Sequence, residues 1–237
     1  MDPKVLTVYK SPFPKMRVGR QYDGGYIIVN IPNKKYNILL AGGISDDISF
    51  EEDFINKHDN TIKCYAFDGE INQLPRQNPN IEFINKNIGF ENNDKITNIH
   101  DIINANENIF VKMDIEGGEI PWIKSLSDEQ LNKFEQIVME FHEPFSDNEI
   151  PVFDKINKNH VLVHFHANNG GAVGNNNSGF INHKGVNIPL VFECTYLHKK
   201  YFTSLPELNR DQIPGVLDMN NCYGYPDLYI NYPPFVN

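Results

Sequence analysis

The sequence lacks any long apolar run: no stretch approaches about 18 consecutive apolar residues, so it contains no obvious membrane-spanning helix. The N-terminus, MDPKVLTVYK, lacks the apolar segment of about 7 to 15 residues and the cleavage site that mark a secretory signal. Cysteine is scarce. Cys64, Cys194 and Cys222 are odd in number, far apart and without CxxC spacing, which argues against a disulfide framework and points to free thiols in a reducing compartment. A cytoplasmic protein is the expectation. Basic residues are outnumbered, 21 against 31 acidic ones, for a net charge of −10 with no Lys/Arg run, which disfavours nonspecific partners such as nucleic acid or an anionic membrane. No repeat of fixed period is present, and nothing sets an oligomeric state, so an oligomer stays open.

What is there is an ordinary globular composition, 40% hydrophobic and 22% charged, over 237 residues, enough for one domain with a large core. From about residue 36, short apolar runs alternate with amphipathic or capped segments, the pattern of a parallel sheet covered by helices. Tyr36 to Ala41 reads as a strand ending in Gly42-Gly43, Thr61 to Phe67 as one ending in Asp68, and Ile81 to Asn85 as a third ending near Asn87. Asn108 to Met113 and Gln136 to Phe141 follow, ending in Asp114 and His142-Glu143; His160 to Phe165 and Leu190 to Tyr196 look like two more. Ser49-Phe50-Glu51-Glu52 and Ser127-Asp128-Glu129-Gln130 have capping-box spacing, and Ile99 to Ala105 reads as a short helix. The segment Asn168 to Gly185 is expected to be a loop over the site, too long for a tight hairpin, and the stretch from Ser204 a tail on the core. Before the first strand, Asp23-Gly24-Gly25 lies between strand-like residues as in a β-hairpin.

The run IFVKMDIEGGEIPW, residues 109 to 122, is an apolar strand that delivers carboxylates at its C-terminal end, where open α/β sheets bind ligands. A glycine turn after one strand and Asp68 after the next suit an adenosine-containing ligand, with Asp68 accepting from ribose hydroxyls. Residues 42 to 47 read GGISDD, so the dinucleotide pattern GxGxxG is absent, and Asp46, Asp47, Glu51 and Glu52 crowd the helix end that would hold a pyrophosphate. One like-charge pair about 5 Å apart costs roughly 3 kcal/mol at an effective dielectric of about 20. S-adenosylmethionine carries no phosphate and bears a sulfonium and an ammonium, which suit an acidic, glycine-lined pocket.

The order AGGISDDISFE, YAFDGE, VKMDIEGGE and IVMEFHE, preceded by DGGY and followed by HFHANN, FECTYL and VLDMNN, resembles the FkbM-type class I S-adenosylmethionine-dependent methyltransferases over roughly residues 17 to 230. The resemblance implies a Rossmann-like α/β fold: a seven-strand methyltransferase sheet with helices on both faces, residues 36–237, and an N-terminal hairpin extension, residues 1–35, over the cofactor site. It also implies O-methylation of a sugar, sugar nucleotide or glycan precursor, and cofactor contacts at Asp23, Gly24, Gly25, Gly42, Gly43, Ser45, Asp68, Gly69, Asn87 and Asp114.

Methyl transfer to a hydroxyl needs alignment and a base, or a metal that acidifies the hydroxyl. Alternation puts Val138, Glu140 and His142 on one face of their strand. His142 is the first candidate base, with His166 and Asp114 as further catalytic candidates. Glu116, Glu143, His164, Asn168 and Asn169 are candidates for the carbohydrate or small-molecule acceptor. Asp114, Glu140 and His142 offer hard oxygens and one imidazole, a set compatible with Mg or Mn. The same cluster suits a metal-dependent hydrolase, and a noncatalytic cofactor- or glycan-binding module is the remaining class.

Overall fold

The computed structural model describes residues 3–143, 150–172 and 179–237. Along the chain the elements are β1 (Lys15–Val18), β2 (Tyr26–Val29), β3 (Ile38–Gly42), α1 (Ser49–His58), β4 (Lys63–Phe67), β5 (Ile81–Ile84), β6 (Asn87–Ile88), β7 (Ile96–Thr97), α2 (His100–Ala105), β8 (Ile109–Met113), α3 (Glu119–Ser125), α4 (Asp128–Asn132), β9 (Phe134–His142), α5 (Ile150–Asn159), β10 (His160–Ala167), β11 (Phe180–His183), β12 (Val186–Pro189) and β13 (Val191–His198). Seven strands form one sheet in the order β10-β13-β9-β8-β3-β4-β5. Strands β9 through β5 are parallel, whereas β13 runs antiparallel to both of its neighbours, β9 and β10. This is the expected α/β sheet.

Strands β3 and β8 are buried at every position because both faces of the sheet are covered. One face carries Leu40, Val111, Met113, Met139 and Phe141 against Trp122, Ile123, Phe153 and Ile156 of α3 and α5. On the other, Leu39, Ala41, Phe110 and Val138 meet Phe50 and Phe54 of α1. Phe50 and Phe54, four apart, present one helix stripe, and the Phe54 ring lies 4.3 Å from that of Phe110. Beside α1 the β1–β2 hairpin covers the rest of that face: Val29 N–H donates to Gln136 and Thr195 Oγ1 donates to the Ile27 carbonyl.

The capping box at Ser127 forms with Gln130 as the spacing predicts, but the one at Ser49 does not. Asp47 accepts from the Ser49 backbone and hydroxyl, and Glu52 turns outward to pair with Arg76, so the motif is outcompeted by a stronger acceptor and a guanidinium. The expectation of a continuous loop from Asn168 to Gly185 is also corrected. Residues 180–189 form the β11–β12 hairpin, turning at Lys184 and Gly185 in positive φ; residues 173–178 lie outside the described residues. The tail from Ser204 has little regular structure and buries Ile213, Ile230 and Phe235.

Candidate active site

The sheet register brings polar residues from four strands into one row. Met113 lies opposite Met139, which sets Asp114, the next residue, beside Glu140; Glu140 lies opposite Glu193, and Glu193 opposite His166. Neighbouring strands are about 4.8 Å apart, so the row is a chain of near contacts. Glu140, Glu193 and His166 are buried and Asp114 is partly so, and the row therefore needs partners. Tyr26, the first residue of β2, donates its hydroxyl to Asp114 Oδ2 at 2.8 Å, with Glu140 Oε2 at 3.4 Å. Asn168 donates to Glu140 Oε1 at 2.7 Å, and Asn221 to Glu193 Oε1 at 2.6 Å. Burial first, then the charges of Asp114 and Glu193, push Glu140 well above the usual carboxylate range, against the Asn168 hydrogen bond. Burial works against a charged His166, but Asp227 and Glu193 outweigh it and hold its imidazole well above the ordinary value.

His142 sits where β9 leaves the sheet. Its Nδ1 lies 3.2 Å from Glu119 Oε1, while Nε2 faces Glu116, Glu140 and Asp114 at 3.4, 3.6 and 3.7 Å. Glu119 has no exposed surface, yet its carboxylate is satisfied: Oε1 also accepts from Ile115 N–H and Oε2 from Gly117 N–H. A turn with Glu116 at φ +52° and Gly117 at +93° makes that return possible. With Nδ1–H donated to Glu119, the lone pair on Nε2 points into a cavity of about 320 Å³ lined by Asp23, Asp114, Glu116, Glu140, Asn168 and Asn221, among others. Burial lowers the His142 pKa, but the Glu119 hydrogen bond and the Glu119, Asp114 and Glu116 charges raise it further, and the net direction is up. Burial and Asp114 push Asp23 up as well.

Next to this cavity is the glycine loop after β3. Gly43 has φ +74°, and a Cβ there would fall 1.6 Å from the Asp114 carbonyl oxygen. The loop is held from three sides. Gly43 N–H donates to the Phe67 carbonyl, the buried Lys112 ammonium donates to the Gly43 carbonyl at 2.8 Å, and Asp68 Oδ2 accepts from the N–H groups of Ile44 and Ser45. Asp68 Oδ1 accepts from Glu70 N–H, and Asn87 accepts from Gly69 N–H. Asp68 thus builds the loop as well as facing it.

The site therefore brings together Asp114, Glu140, His142 and Asn168, with Asp23 and Glu116 on the cavity wall. Other candidates are placed differently. His166 is fully buried, both ring nitrogens facing acids. His164 lies in a separate cavity of about 510 Å³, with Nε2 at 2.9 Å from Asp218 and Nδ1 at 3.5 Å from Lys15. Asn169 clamps the tail, donating to the Cys222, Tyr225 and Pro226 carbonyls and accepting from Cys222 N–H. Glu143 is exposed, with its backbone tied to Leu190. Among the described residues, the acids and imidazole able to converge on a cation are Asp114, Glu119 and His142, with ligand atoms within 4.8 Å of one another; Glu119 stands in this set where alternation had pointed to Glu140. Tyr26, Glu193, Asn221 and Asp227 were not marked by the sequence. Tyr26, Glu193 and Asn221 lie within the motifs DGGY, FECTYL and VLDMNN, and Asp227 lies in none.

No curated protein matches the chain. The methyltransferase FkbM domain family matches residues 12–166, from the N-terminal hairpin through most of β10. That segment includes Tyr26, the glycine loop, Asp68, Asp114, Glu119 and His142, so the chain belongs to the FkbM methyltransferase family.

Proposed function

We propose that the protein transfers a methyl group from S-adenosylmethionine to a hydroxyl of a sugar, sugar nucleotide or glycan precursor. The observation that carries this reading is His142: an imidazole oriented by a buried carboxylate, its Nε2 opening on an acidic cavity beyond the strand ends and beside a glycine loop. The residues fit the methyl donor. On this reading the loop of Gly42, Gly43 and Ser45, packed against Asp114, would border the donor, Asp68, Gly69 and Asn87 would hold its adenosine, and Asp23, Gly24 and Gly25 would cover it. Asp114 Oδ1, buried and without a hydrogen-bond partner, suits the cationic end of the donor. On this reading residues 1–35 cover the donor and residues 36–237 form the transferase domain. The three free cysteines support a reducing, cytoplasmic setting.

The donor, when bound, supplies an electrophilic methyl carbon on a sulfonium. The chain must then align an acceptor oxygen with it and take the acceptor's proton. His142 Nε2 receives that proton as the oxygen–carbon bond forms, and Glu119 stabilises the resulting imidazolium at Nδ1. Asp114, held by the Tyr26 hydroxyl, would be the carboxylate that faces the cationic end of the donor. Glu116 and Asn168 lie within reach of acceptor hydroxyls on the cavity wall, whereas His164 and Asn169 are engaged elsewhere.

Calorimetry with S-adenosylhomocysteine tests the reading; no binding at millimolar ligand, with NAD bound instead, refutes it. A second reading rests on the Asp114, Glu119 and His142 set, which offers hard oxygens and an imidazole to Mg or Mn. Turnover abolished by EDTA and restored by Mg or Mn would favour a metal that acidifies the acceptor. Metal-dependent hydrolysis without donor would favour a hydrolase instead.

A further inference from the structure

Recognition of a phosphate or diphosphate needs an Arg or Lys, or free backbone N–H groups at a helix start or nest. Among the described residues, the cavity beside His142 is lined by no Arg or Lys. Its ionisable lining is Asp23, Asp114, Glu116, Glu140, His142 and the Cys222 thiol. Even with Glu140 and Asp23 protonated and His142 positive, Asp114 and Glu116 leave a negative excess. The cations closest in the chain are engaged: Arg17 donates to the Tyr22 carbonyl, and Arg20 sits among Asp23, Asp46 and Asp47 at 3.4 to 4.0 Å. Lys112 is committed to the Gly43 carbonyl. In sequence, residues 144–149 (PFSDNE) and 173–178 (VGNNNS) contain no Lys or Arg.

Five backbone N–H groups around the site already donate to its own side chains. Glu119 occupies the N–H groups of Ile115 and Gly117, Asn168 Oδ1 that of Gly170, and Asp68 those of Ile44 and Ser45. Exposed tyrosines adjoin the lining residues in the chain. The rings of Tyr22 and Tyr223 meet edge to face at 5.1 Å, and each is the chain neighbour of a residue that lines the cavity, Asp23 and Cys222. Tyr223 is 76% exposed and Tyr225 53%. The Asn169 clamp on residues 222, 225 and 226 holds this segment in place before any ligand arrives.

We infer that the acceptor is an uncharged glycan, one pyranose ring entering the acidic cavity and the next stacking on Tyr223 and Tyr225, and that nucleotide-activated and phosphorylated sugars are excluded. This rests on the methyltransferase reading and narrows its substrate. Pyranose hydroxyls donate to Glu116 and to the Asn168 side-chain oxygen at no electrostatic cost, and the apolar ring face meets tyrosine. A diphosphate beside the same carboxylates loses about tenfold or more in affinity.

The test is methyl transfer from S-adenosylmethionine to a matched panel: neutral oligosaccharides, and the same terminal sugars as 1-phosphates and uridine diphosphate derivatives, each with and without Mg. Turnover of neutral members, with kcat/KM lower by about tenfold or more for the charged forms, is expected. Tyr223→Ala should raise KM for the oligosaccharide about tenfold and leave kcat and S-adenosylhomocysteine affinity unchanged. Equal or better turnover of a charged form, with or without Mg, overturns the inference. So does a protein that binds S-adenosylhomocysteine yet methylates no neutral member. Failure to bind S-adenosylhomocysteine at all removes the methyltransferase reading itself.

Discussion

Replacing Glu119 by Gln should separate the charge of this buried group from its shape. At 3.2 Å and an effective dielectric of about 20, a full Glu119–imidazolium attraction has a ceiling of about 5 kcal/mol, and the partial exposure of His142 reduces it. The amide has two orientations. With its oxygen in place of Oε1, it still accepts from Ile115 N–H and His142 Nδ1, and loses only the bond to Gly117. The reverse orientation puts an NH2 against both Ile115 N–H and Nδ1–H, so the first is preferred and the tautomer of His142 is kept. What is lost is the charge that stabilises the imidazolium. We expect kcat/KM to fall about ten- to a hundredfold, roughly 1.4 to 2.8 kcal/mol of transition-state stabilisation. Because Glu119 holds the His142 pKa up, the acid limb of the pH–rate profile should move to lower pH in the variant. Steady-state kinetics across pH, with S-adenosylhomocysteine affinity as the control for folding, provides the assay. An unmoved acid limb, or one displaced to higher pH, would refute the pairing of Glu119 with a catalytic His142.

Glu140→Gln tests the buried row through stability. Glu140 has a raised folded pKa, so between its unfolded value near 4.3 and that raised value the folded state binds the extra proton, and wild-type stability falls as pH rises. The variant should lose that slope and unfold at higher temperature than wild type above neutral pH; melting curves from pH 4 to 9 check it. Gly43→Ala should weaken S-adenosylhomocysteine binding about tenfold or more, since the new Cβ displaces the loop from the Asp114 carbonyl; calorimetry reads this directly. Tyr26→Phe removes the donor to Asp114 Oδ2 and should lower kcat about tenfold with the fold intact by circular dichroism. Asp68→Asn should weaken donor-analogue binding, whereas His142→Ala should cut turnover about a hundredfold and leave that affinity alone.

The parallel half of the sheet was readable because β3 and β8 are short apolar runs ended by glycine or acid, and the Ser127 cap because nothing nearby competes for its groups. Ser49 has the same spacing, yet Asp47, two residues earlier, and Arg76, 24 residues after Glu52, take its partners. The row of acids was only half legible. Asp114 and His142 announce themselves at strand ends, but Glu193 lies within FECTYL as one polar residue of a buried strand. Its place beside Glu140 depends on a register formed across more than fifty residues of chain. Tyr26 looked like the far side of a turn, and only the docking of β2 on the sheet carries its hydroxyl to Asp114. His164 and His166 share a strand and a face, and neighbours remote in sequence, Asp218 and Asp227, send them to different tasks.

Strand β13 is the last strand made, yet it sits between two strands made earlier. Because it pairs with β9 on one side and β10 on the other, those two strands, complete by residue 167, have no common partner until residues 191–198 leave the ribosome. During synthesis the nascent sheet therefore carries two unpaired edges facing an empty slot, the arrangement most open to wrong pairing with a second chain. The family-matched segment, residues 12–166, cannot close its own sheet. A truncation before residue 191 should accordingly yield a protein that aggregates, rather than a smaller enzyme that merely lacks Glu193.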